Sequence, residues 1–280
     1  MLDSATVRVL GPADETEVTA LLDRDPVTNV FVASRLRSTG LDPVRTGGEV
    51  WGFIEDGRLV SLCYSGANLV PVAASRAAVD GFAERALRQG RRCSSLVGPA
   101  GMVLPLWDLL RPHWGRAREV RGSQPLMTIG SPPAVAPDPA VRQVRPDEVD
   151  ALLPASVAMF TEEVGVSPLG EDGGALYRAR VAEIVREGRA YARFEDGEVL
   201  FKAEIGAATP LACQVQGVWV RPDRRGEGIS VAGMAAVVRL ARRHVAPVVT
   251  LYVNDYNQAA RAAYRRVGFR ETGTFASVLF

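Results

Sequence analysis

The basic residues of this chain include almost no lysine. Lys202 is the only lysine among 280 residues, and lysine and arginine together number 33 against 32 acidic residues. A formal net charge of +1 lacks the positive excess that is typical of proteins that bind nucleic acids or acidic membranes. The apolar fraction of 47% is typical of a globular protein with buried cores and argues against extended disorder.

Cysteine and histidine are also scarce. The three cysteines lie far apart, form no CxxC pair and have no histidine close by. This spacing argues against a disulfide framework or a zinc site, so we expect reduced cysteines in the core and no bound metal. His244 is expected in the last turn of a helix, where a cation is favourable for structural reasons alone.

Long apolar runs are missing as well. No window approaches the ~18 continuous apolar residues of a membrane span. The N-terminal stretch MLDSATVRVL has no basic region followed by an apolar run, so no signal peptide is predicted. We therefore expect a cytoplasmic protein that has neither membrane nor nucleic acid as a partner.

A proline-rich stretch, GSPPAVAPDPA, divides the chain. It has neither helical nor strand periodicity and is typical of a semi-rigid linker. The predicted organisation is a first domain at 1–130, a linker at 131–140 and a second domain at 141–280.

The second half predicts an α+β unit. A short strand (AVRQVR) precedes a helix that Pro154 should kink or split. The polar loop TEEVGVSPLGEDGG leads to a second helix, which should stop at Gly188. A hairpin turning at Asp196-Gly197 and a third strand, LACQVQGVWV, follow, and Gly217 in that strand suggests a bulge. A helix near 226–243, the strand VVTLYV, a helix near 256–267 and a final hairpin ending in FASVLF complete the predicted unit.

The first half has a similar rhythm, including a hairpin at Asp56-Gly57. A helix, a strand, another helix and the strand PLMTIG follow that hairpin. We therefore predict two copies of one fold, of which the first lacks a glycine loop.

The stretch VRPDRRGEGIS, residues 220–230, leads from a strand into a helix. Unpaired amides at a helix N-terminus bind anions, and Gly226 and Gly228 allow a ligand to approach closely. Arg221, Arg224 and Arg225 could add contacts to phosphate oxygens. A plain turn with solvated arginines would fit the same residues.

Two familiar phosphate motifs fit this stretch poorly. A P-loop would end in Gly-Lys followed by Ser or Thr, which this loop lacks. The dinucleotide fingerprint would need a third glycine at Val231, and the preceding strands suggest an antiparallel meander.

Two motifs together carry a family resemblance. RRGEGIS resembles the pyrophosphate loop of the GNAT superfamily of N-acetyltransferases, Arg/Gln-x-x-Gly-x-Gly/Ala. Arg225 and Gly228 match this pattern, and Ser230 replaces the last small residue. VNDYNQAARAAYRRVGF resembles the later family segment Asn-x-x-Ala-x-x-x-Tyr-x-x-x-Gly-Phe. The matching residues of that segment are Asn257, Ala260, Tyr264, Gly268 and Phe269.

The spacing of the second motif agrees with the resemblance. Asn257, Ala260 and Tyr264 share one helix face, and Gly268 suits a helix C-cap. The whole chain further resembles actinobacterial two-domain members whose N-terminal domain is divergent. This implies α+β architecture with two GNAT-like domains in tandem, each a mixed, mostly antiparallel sheet flanked by helices.

The resemblance implies an enzyme that transfers acetyl directly from acetyl-CoA to an amine, without a metal. Tyr264 would be the general acid that protonates the thiolate of coenzyme A. The donor-binding residues implied are Val218, Trp219, Val220, Arg225, Gly226, Glu227, Gly228, Ile229, Ser230, Asn257 and Ala260.

The general base and the acceptor stay open. Gln214 and Gln216 occupy the strand on which many relatives carry a catalytic carboxylate, and glutamine cannot act as a base. Glu162, Glu163 and Glu204 are the alternative residues, and direct proton loss to water is a further alternative. The acceptor could be a small amine, a peptide or a protein. A longer-chain acyl or aminoacyl transferase and a catalytically silent acyl-CoA sensor are the rival functions.

Overall fold

The residues that the structure describes divide into two compact units. This computed structural model describes residues 5–170 and 173–280. The first unit extends to Leu126 and adds Tyr252–Tyr256 and Glu271–Phe280, and the second comprises Met127–Leu251 and Asn257–Arg270. Residues 1–4 of the predicted first domain and 171–172 of the predicted polar loop lie outside the described residues.

The first unit contains a mixed sheet. Its strands are β1 (Thr6–Val9), β2 (Glu49–Glu55), β3 (Arg58–Ser65), β4 (Asn68–Val72), β5 (Ser95–Pro99) and, at the end of the chain, β12 (Arg270–Leu279). They neighbour one another in that order, and only the β4–β5 pair is parallel. Strand β6 (Glu119–Ile129) belongs to this unit up to Leu126.

Helices cover both faces of this sheet. They are α1 (Glu15–Leu22), α2 (Val30–Thr39), α3 (Pro43–Thr46), α4 (Arg76–Gln89) and α5 (Ala100–Trp114). Trp51 and Phe53 pack with α4 and α5, whereas Val50 packs with α1 and α2. Alternate side chains of a strand point to opposite faces, so β2 contributes to two cores.

The second unit repeats this pairing pattern. Its strands are β7 (Arg142–Gln143), β8 (Ala190–Glu195), β9 (Glu198–Ala208), β10 (Ala212–Val220) and β11 (Val248–Tyr252). Again only the last of these pairs, β10–β11, is parallel. Asp196 (φ 52°) and Gly197 (φ 82°) form the predicted hairpin turn, as Asp56 and Gly57 do in the first unit.

The helices of the second unit are α6 (Val149–Val164), α7 (Ala175–Arg186), α8 (Ile229–His244) and α9 (Gln258–Val267). Of the two predicted effects of Pro154, a kink or a split, the split is wrong, because α6 continues through Pro154. Helix α6 also includes Glu162 and Glu163, which were predicted in the loop that follows. His244 ends α8 as expected.

The predicted C-terminal hairpin is also wrong. Residues 270–279 form one strand, β12, that pairs antiparallel with β5 in the first unit. Its Phe275, Ala276 and Val278 are at most 5% exposed. Residues 275–279 of this strand pair with β5 and are mostly buried, so this part of the chain has no need of a local hairpin partner.

Residues 131–140 contain no helix or strand, yet they are tied to the second unit. The N–H of Ala134 donates to the carbonyl of Val267, and the N–H of Asp138 donates to that of Ala232. The Asp138 carboxylate also pairs with Arg193 at 3.1 Å. The proline-rich stretch is thus fixed along this unit.

The three cysteines are buried and free, as predicted. Among the described residues, no group of His, Cys, Asp and Glu side chains could hold a metal ion. None of the helices in the described ranges combines the length and apolar character of a membrane span.

Candidate active site

The glycine loop opens α8 with a set of free backbone amides. Gly226 (φ 86°) and Gly228 (φ 80°) have left-handed conformations, and Gly228 is the N-cap of the helix. The N–H groups of residues 226–230 donate no hydrogen bond within the described part of the chain. A Cβ on either glycine would meet nothing within 4 Å, so the loop is open to a ligand. Free amides and the helix dipole together favour an anion here.

The loop arginines are paired with carboxylates in this structure. Glu195, at the end of β8, accepts from Arg224 at 2.7 Å and from Arg221 at 3.5 Å. Arg225 donates to the Val220 carbonyl at 3.0 Å and to Glu162 at 2.7 Å. The guanidinium groups therefore connect the loop to β8 and α6, and the backbone amides are the groups left for an anion.

Strand β10 separates from β11 before it reaches the loop. Their ladder runs from Ala212↔Val248 to Gln214↔Thr250 and ends there. On its other edge β10 has a bulge, because Gln216 pairs with Glu204 but the next pair is Trp219 with Lys202. This confirms the bulge predicted at Gly217, whose φ is 59°. The backbone of residues 216–220 is thus open towards β11.

A buried polar cluster lies beside the bulge. The Glu204 carboxylate accepts from Gln216 at 3.0 Å and from Lys202 at 3.3 Å. A Cβ on Gly217 would lie 3.2 Å from the Glu204 carboxyl carbon and 3.1 Å from the Met159 methyl. A carboxylate therefore contacts the backbone of the bulge. Gln214, two residues before Gln216 in β10, is also buried.

The two acidic residues in the last turn of α6 have different surroundings. Glu162 accepts from the Trp219 indole at 3.2 Å as well as from Arg225, so both of its oxygens are engaged. Glu163 lies close enough to Tyr264 and Tyr177 for its charge to raise the pKa of both hydroxyls. Glu162 thus contacts the glycine loop through Arg225, and Glu163 acts on the Tyr264 hydroxyl through its charge.

Helix α9 carries the second motif. Asn257 is its N-cap, and the Asn257 side chain accepts from the Ala260 N–H at 3.1 Å. Gly268 (φ 114°) is its C-cap, as the sequence predicts. Tyr264 is 7% exposed and packs on Phe269 with ring centroids 5.9 Å apart. Burial, and then the charge of Glu163, raise the pKa of Tyr264 well above its ordinary value, so its hydroxyl keeps its proton.

Tyr177 of α7 lies close enough to Glu204 to be affected by its charge, which the sequence did not indicate. Its hydroxyl donates to the Ser156 carbonyl at 2.9 Å, and its ring packs edge-on against Phe160. Burial, together with the charge of Glu204, raises the pKa of Tyr177 to about 12. No motif surrounds Tyr177, so only its position beside Glu204 identifies it.

Two family models match the chain. Residues 161–269 match the Acetyltransferase (GNAT) family, and residues 48–152 match a domain of unknown function (DUF4081). No curated protein matches the chain.

Several solved structures have the same fold. A Drosophila protein matches with a TM-score of 0.66 at 14% identity, covering 99% of both chains. An N-acetyltransferase of this superfamily from Sphaerobacter thermophilus has a TM-score of 0.58 at 18% identity, covering 98% of this chain and 95% of its own. A tandem GNAT protein from the clavulanic acid biosynthesis pathway has a TM-score of 0.55 at 15% identity, covering 99% and 98%. Residues 161–269 therefore form a region of the Acetyltransferase (GNAT) family, and the chain as a whole has the fold of these structures.

Proposed function

We propose that the protein transfers an acetyl group from acetyl-CoA to a primary amine in a single direct step. The observation that carries the proposal is the glycine loop: its free amides open α8 beside a bulged strand that has separated from its neighbour. The free amides are what a pyrophosphate needs, and the separated strand is what the extended pantetheine arm needs.

The donor would lie along β10 and the loop. The amides of residues 226–230 suit the pyrophosphate oxygens, and Ser230 adds a hydroxyl close to them. The backbone of Val218, Trp219 and Val220, which has no ladder to β11, suits the amide groups of pantetheine, and Arg225 already occupies the Val220 carbonyl. An N–H at the bulge would polarise the thioester carbonyl and stabilise the charge that develops on its oxygen.

Asn257 and Ala260 of α9 are proposed donor contacts as well. The Asn257 side chain caps its helix, so its remaining oxygen lone pair and its NH₂ group are the atoms left for coenzyme A. Ala260 is only partly buried and has a small side chain, which allows a ligand to pack against this face of α9.

Glu204 is our proposed base. It contacts the bulge at Gly217, which is where the polarised thioester would lie, and each of its oxygens accepts only one hydrogen bond in the described part of the chain. A carboxylate oxygen has a further lone pair for the proton of the acceptor amine. Glu162 is less suitable because Arg225 and Trp219 engage it, and Glu163 is better placed to bind the cationic amine before it reacts.

The reaction then balances as follows. The amine nitrogen loses a proton to Glu204 and forms a bond to the thioester carbonyl carbon. The tetrahedral intermediate collapses with cleavage of the carbon–sulfur bond. Tyr264 gives its proton to the departing thiolate, which it can do because it is protonated throughout the physiological range.

The first experiment is calorimetric titration of acetyl-CoA and free CoA into the wild-type protein and Gly228→Trp. The indole would cover the free amides, so we expect the variant to lose binding. Gly57→Trp is the matched control, because Gly57 has a similar φ of 75° and equally open surroundings in the first unit. Absence of binding by the wild type would refute the proposed donor.

Turnover is tested with acetyl-CoA and a panel of small amines, peptides and lysine-containing proteins. Loss of one transition-state proton transfer lowers kcat by roughly 10²–10⁴-fold, so we expect such losses in Glu204→Gln and Tyr264→Phe. Donor binding should persist in both variants. Tight binding without turnover of any amine would instead support an acyl-CoA sensor.

A further inference from the structure

Lys202 is an anomaly in both the sequence and the fold. It is the only lysine in a chain rich in arginine, and it is 1% exposed. On the middle strand β9, it pairs with Ala192 on one side and Trp219 on the other. Both neighbours belong to the apolar core beneath α6 and α7. A charged side chain therefore occupies a core position.

Stability alone does not explain this residue. Removing an ammonium group from water costs several kcal/mol, and replacing buried ion pairs by apolar side chains is often neutral or stabilising. Lys202 donates one hydrogen bond within the described part of the chain, to Glu204 at 3.3 Å. A methionine would extend the core between Ala192 and Trp219 without that cost. The role of the ammonium group is therefore sought in its contact with the Glu204 carboxylate.

Among the described residues, no other cationic side chain forms a hydrogen bond or ion pair with the Glu204 carboxylate, and Arg180 of α7 acts through its charge on the neighbouring Tyr177. Gln216 from β10 donates a neutral hydrogen bond, and Met159 from α6 is apolar. Tyr177 from α7 and Glu163 from α6 offer a hydroxyl and a like charge. Arg189, just before β8, shares only a backbone hydrogen bond with β9, from the N–H of Ile205. Lys202 is therefore the counterion of this carboxylate.

We infer that Lys202 is a positioning residue: its ammonium group is the counterion of the Glu204 carboxylate and holds it turned towards the bulge at Gly217. The ammonium group acts as a compact point charge in a low-dielectric core, where its effect is hardly screened by salt. Glu204 is thereby ready to take the proton of an acceptor amine. This inference rests on the proposed function for the role of Glu204.

The pair can be tested without any acceptor. Lysine labelled with ¹³C and ¹⁵N gives one side-chain NMR signal in the full chain, so the signal needs no assignment. In Glu204→Gln the ammonium group keeps its burial and loses its counterion, so we expect its Cε and Nζ resonances to shift relative to the wild type. Glu198→Gln, on the same strand, is the control that should leave the signal unchanged. An unchanged signal in Glu204→Gln would refute the pairing.

The catalytic consequence is tested by the pH dependence of kcat/KM. In Lys202→Met the carboxylate loses its counterion, so the acidic limb of the profile should move up by at least about one pH unit. The rate would then fall about tenfold on that limb and recover at higher pH. Gln216→Met removes a hydrogen bond but no charge, and should move the limb less. Equal loss at every pH would assign Lys202 a purely structural role.

The two proposals fail in different ways. If the wild type does not bind acetyl-CoA, the proposed function is wrong, while the lysine signal still reports on the pair. If the wild type turns over and Lys202→Met keeps the wild-type pH profile, only the inference about Lys202 is wrong. Should Lys202→Met fail to fold, the NMR comparison with Glu204→Gln still decides whether the charges depend on each other.

Discussion

The two units begin with the same local design and differ at one later turn. Arg8 of β1 pairs with Asp14, and Arg142 of β7 pairs with Glu148, six residues further on in both cases. Each acid also accepts the backbone N–H three residues before it, ahead of a proline. The same device thus starts both sheets.

The difference lies between the fourth strand and the helix that follows it. In both units the parallel ladder ends early, at Leu69↔Leu96 and at Gln214↔Thr250. The first unit then uses only residues 73–75 to reach α4, whereas the second uses residues 221–228 to reach α8. Both units share the strand arrangement, and of the two only the second has the longer turn.

The short turn engages two of its amides. Ser75 caps α4 by accepting from the Ala78 N–H at 3.2 Å, and the Ala74 N–H meets the Met102 sulfur at 3.4 Å. Neither contact has a counterpart in the glycine loop, where the N–H groups of residues 226–230 donate no hydrogen bond within the described part of the chain. The comparison teaches that both units share the opening between the parallel strands, and that only the second adds the glycine loop in which we propose the donor site.

The strongest test of the first unit is Val278→Asp in β12. Val278 is fully buried opposite Leu96, so an unpaired carboxylate there should cost more than about 4 kcal/mol and unfold the unit. Thr274→Asp, at an exposed position of the same strand, is the control. Two-probe chemical denaturation measures both. A stable Val278→Asp protein would show that β12 is dispensable.

The two turns should respond in opposite ways to exchange of alanine and glycine. Gly228→Ala places a Cβ on a left-handed residue and should cost about 1–2 kcal/mol, with weaker binding of acetyl-CoA. Ala73 already has a φ of 50°, so Ala73→Gly should relieve strain and raise the melting temperature. Calorimetry of both variants checks this. If both substitutions changed the melting temperature in the same direction, the two turns would be equivalent.

Ser75→Ala sharpens the same comparison. Loss of this cap should destabilise the protein by about 1 kcal/mol and leave the affinity for acetyl-CoA unchanged. Thermal unfolding and titration measure the two quantities separately. Weaker binding of the donor in this variant would place an anion site in the first unit.

The smallest effects on stability are expected at the two arginine–carboxylate pairs whose arginines lie in β1 and β7. Hydrogen bonds from arginine and the backbone lower the pKa of Asp14 and of Glu148 to about 2. Their stabilisation is therefore present above the unfolded pKa near 4 and is lost as the pH falls towards 2. Asp14→Asn and Glu148→Gln should each cost at most about 1 kcal/mol at pH 7, with no difference from wild type in strong acid. Denaturation at several pH values tests this, and a constant difference would contradict it.

Local patterns in the sequence predicted the features that depend on local chemistry. The Asp-Gly turns, the bulge at Gly217 and the cap at Gly268 each follow from conformations that few residues adopt. The distant partners could not be predicted in this way. Nothing near FASVLF indicates pairing with β5, and nothing near Arg225 indicates that Glu162 would engage it.

The residues of the candidate site likewise fall into those that local sequence motifs predict and those that only the fold identifies. The two family motifs predicted the donor loop and Tyr264, whereas Tyr177 lies in no motif. Lys202 was visible as the only lysine, but its partner became clear only from the alternation of β9 in the sheet. Pro154 does not end α6, because a helix can continue past the one backbone hydrogen bond that proline removes.

The pairing of β12 with β5 has a consequence for synthesis on the ribosome. Strand β5 emerges early, but its partner is translated only after all of Met127–Leu251. The first unit therefore cannot complete its sheet while the second is being made, although domains usually fold in the order of their synthesis. Until β12 emerges, one edge of β5 is unpaired, and nascent chains of this protein should depend on chaperones that shield such edges.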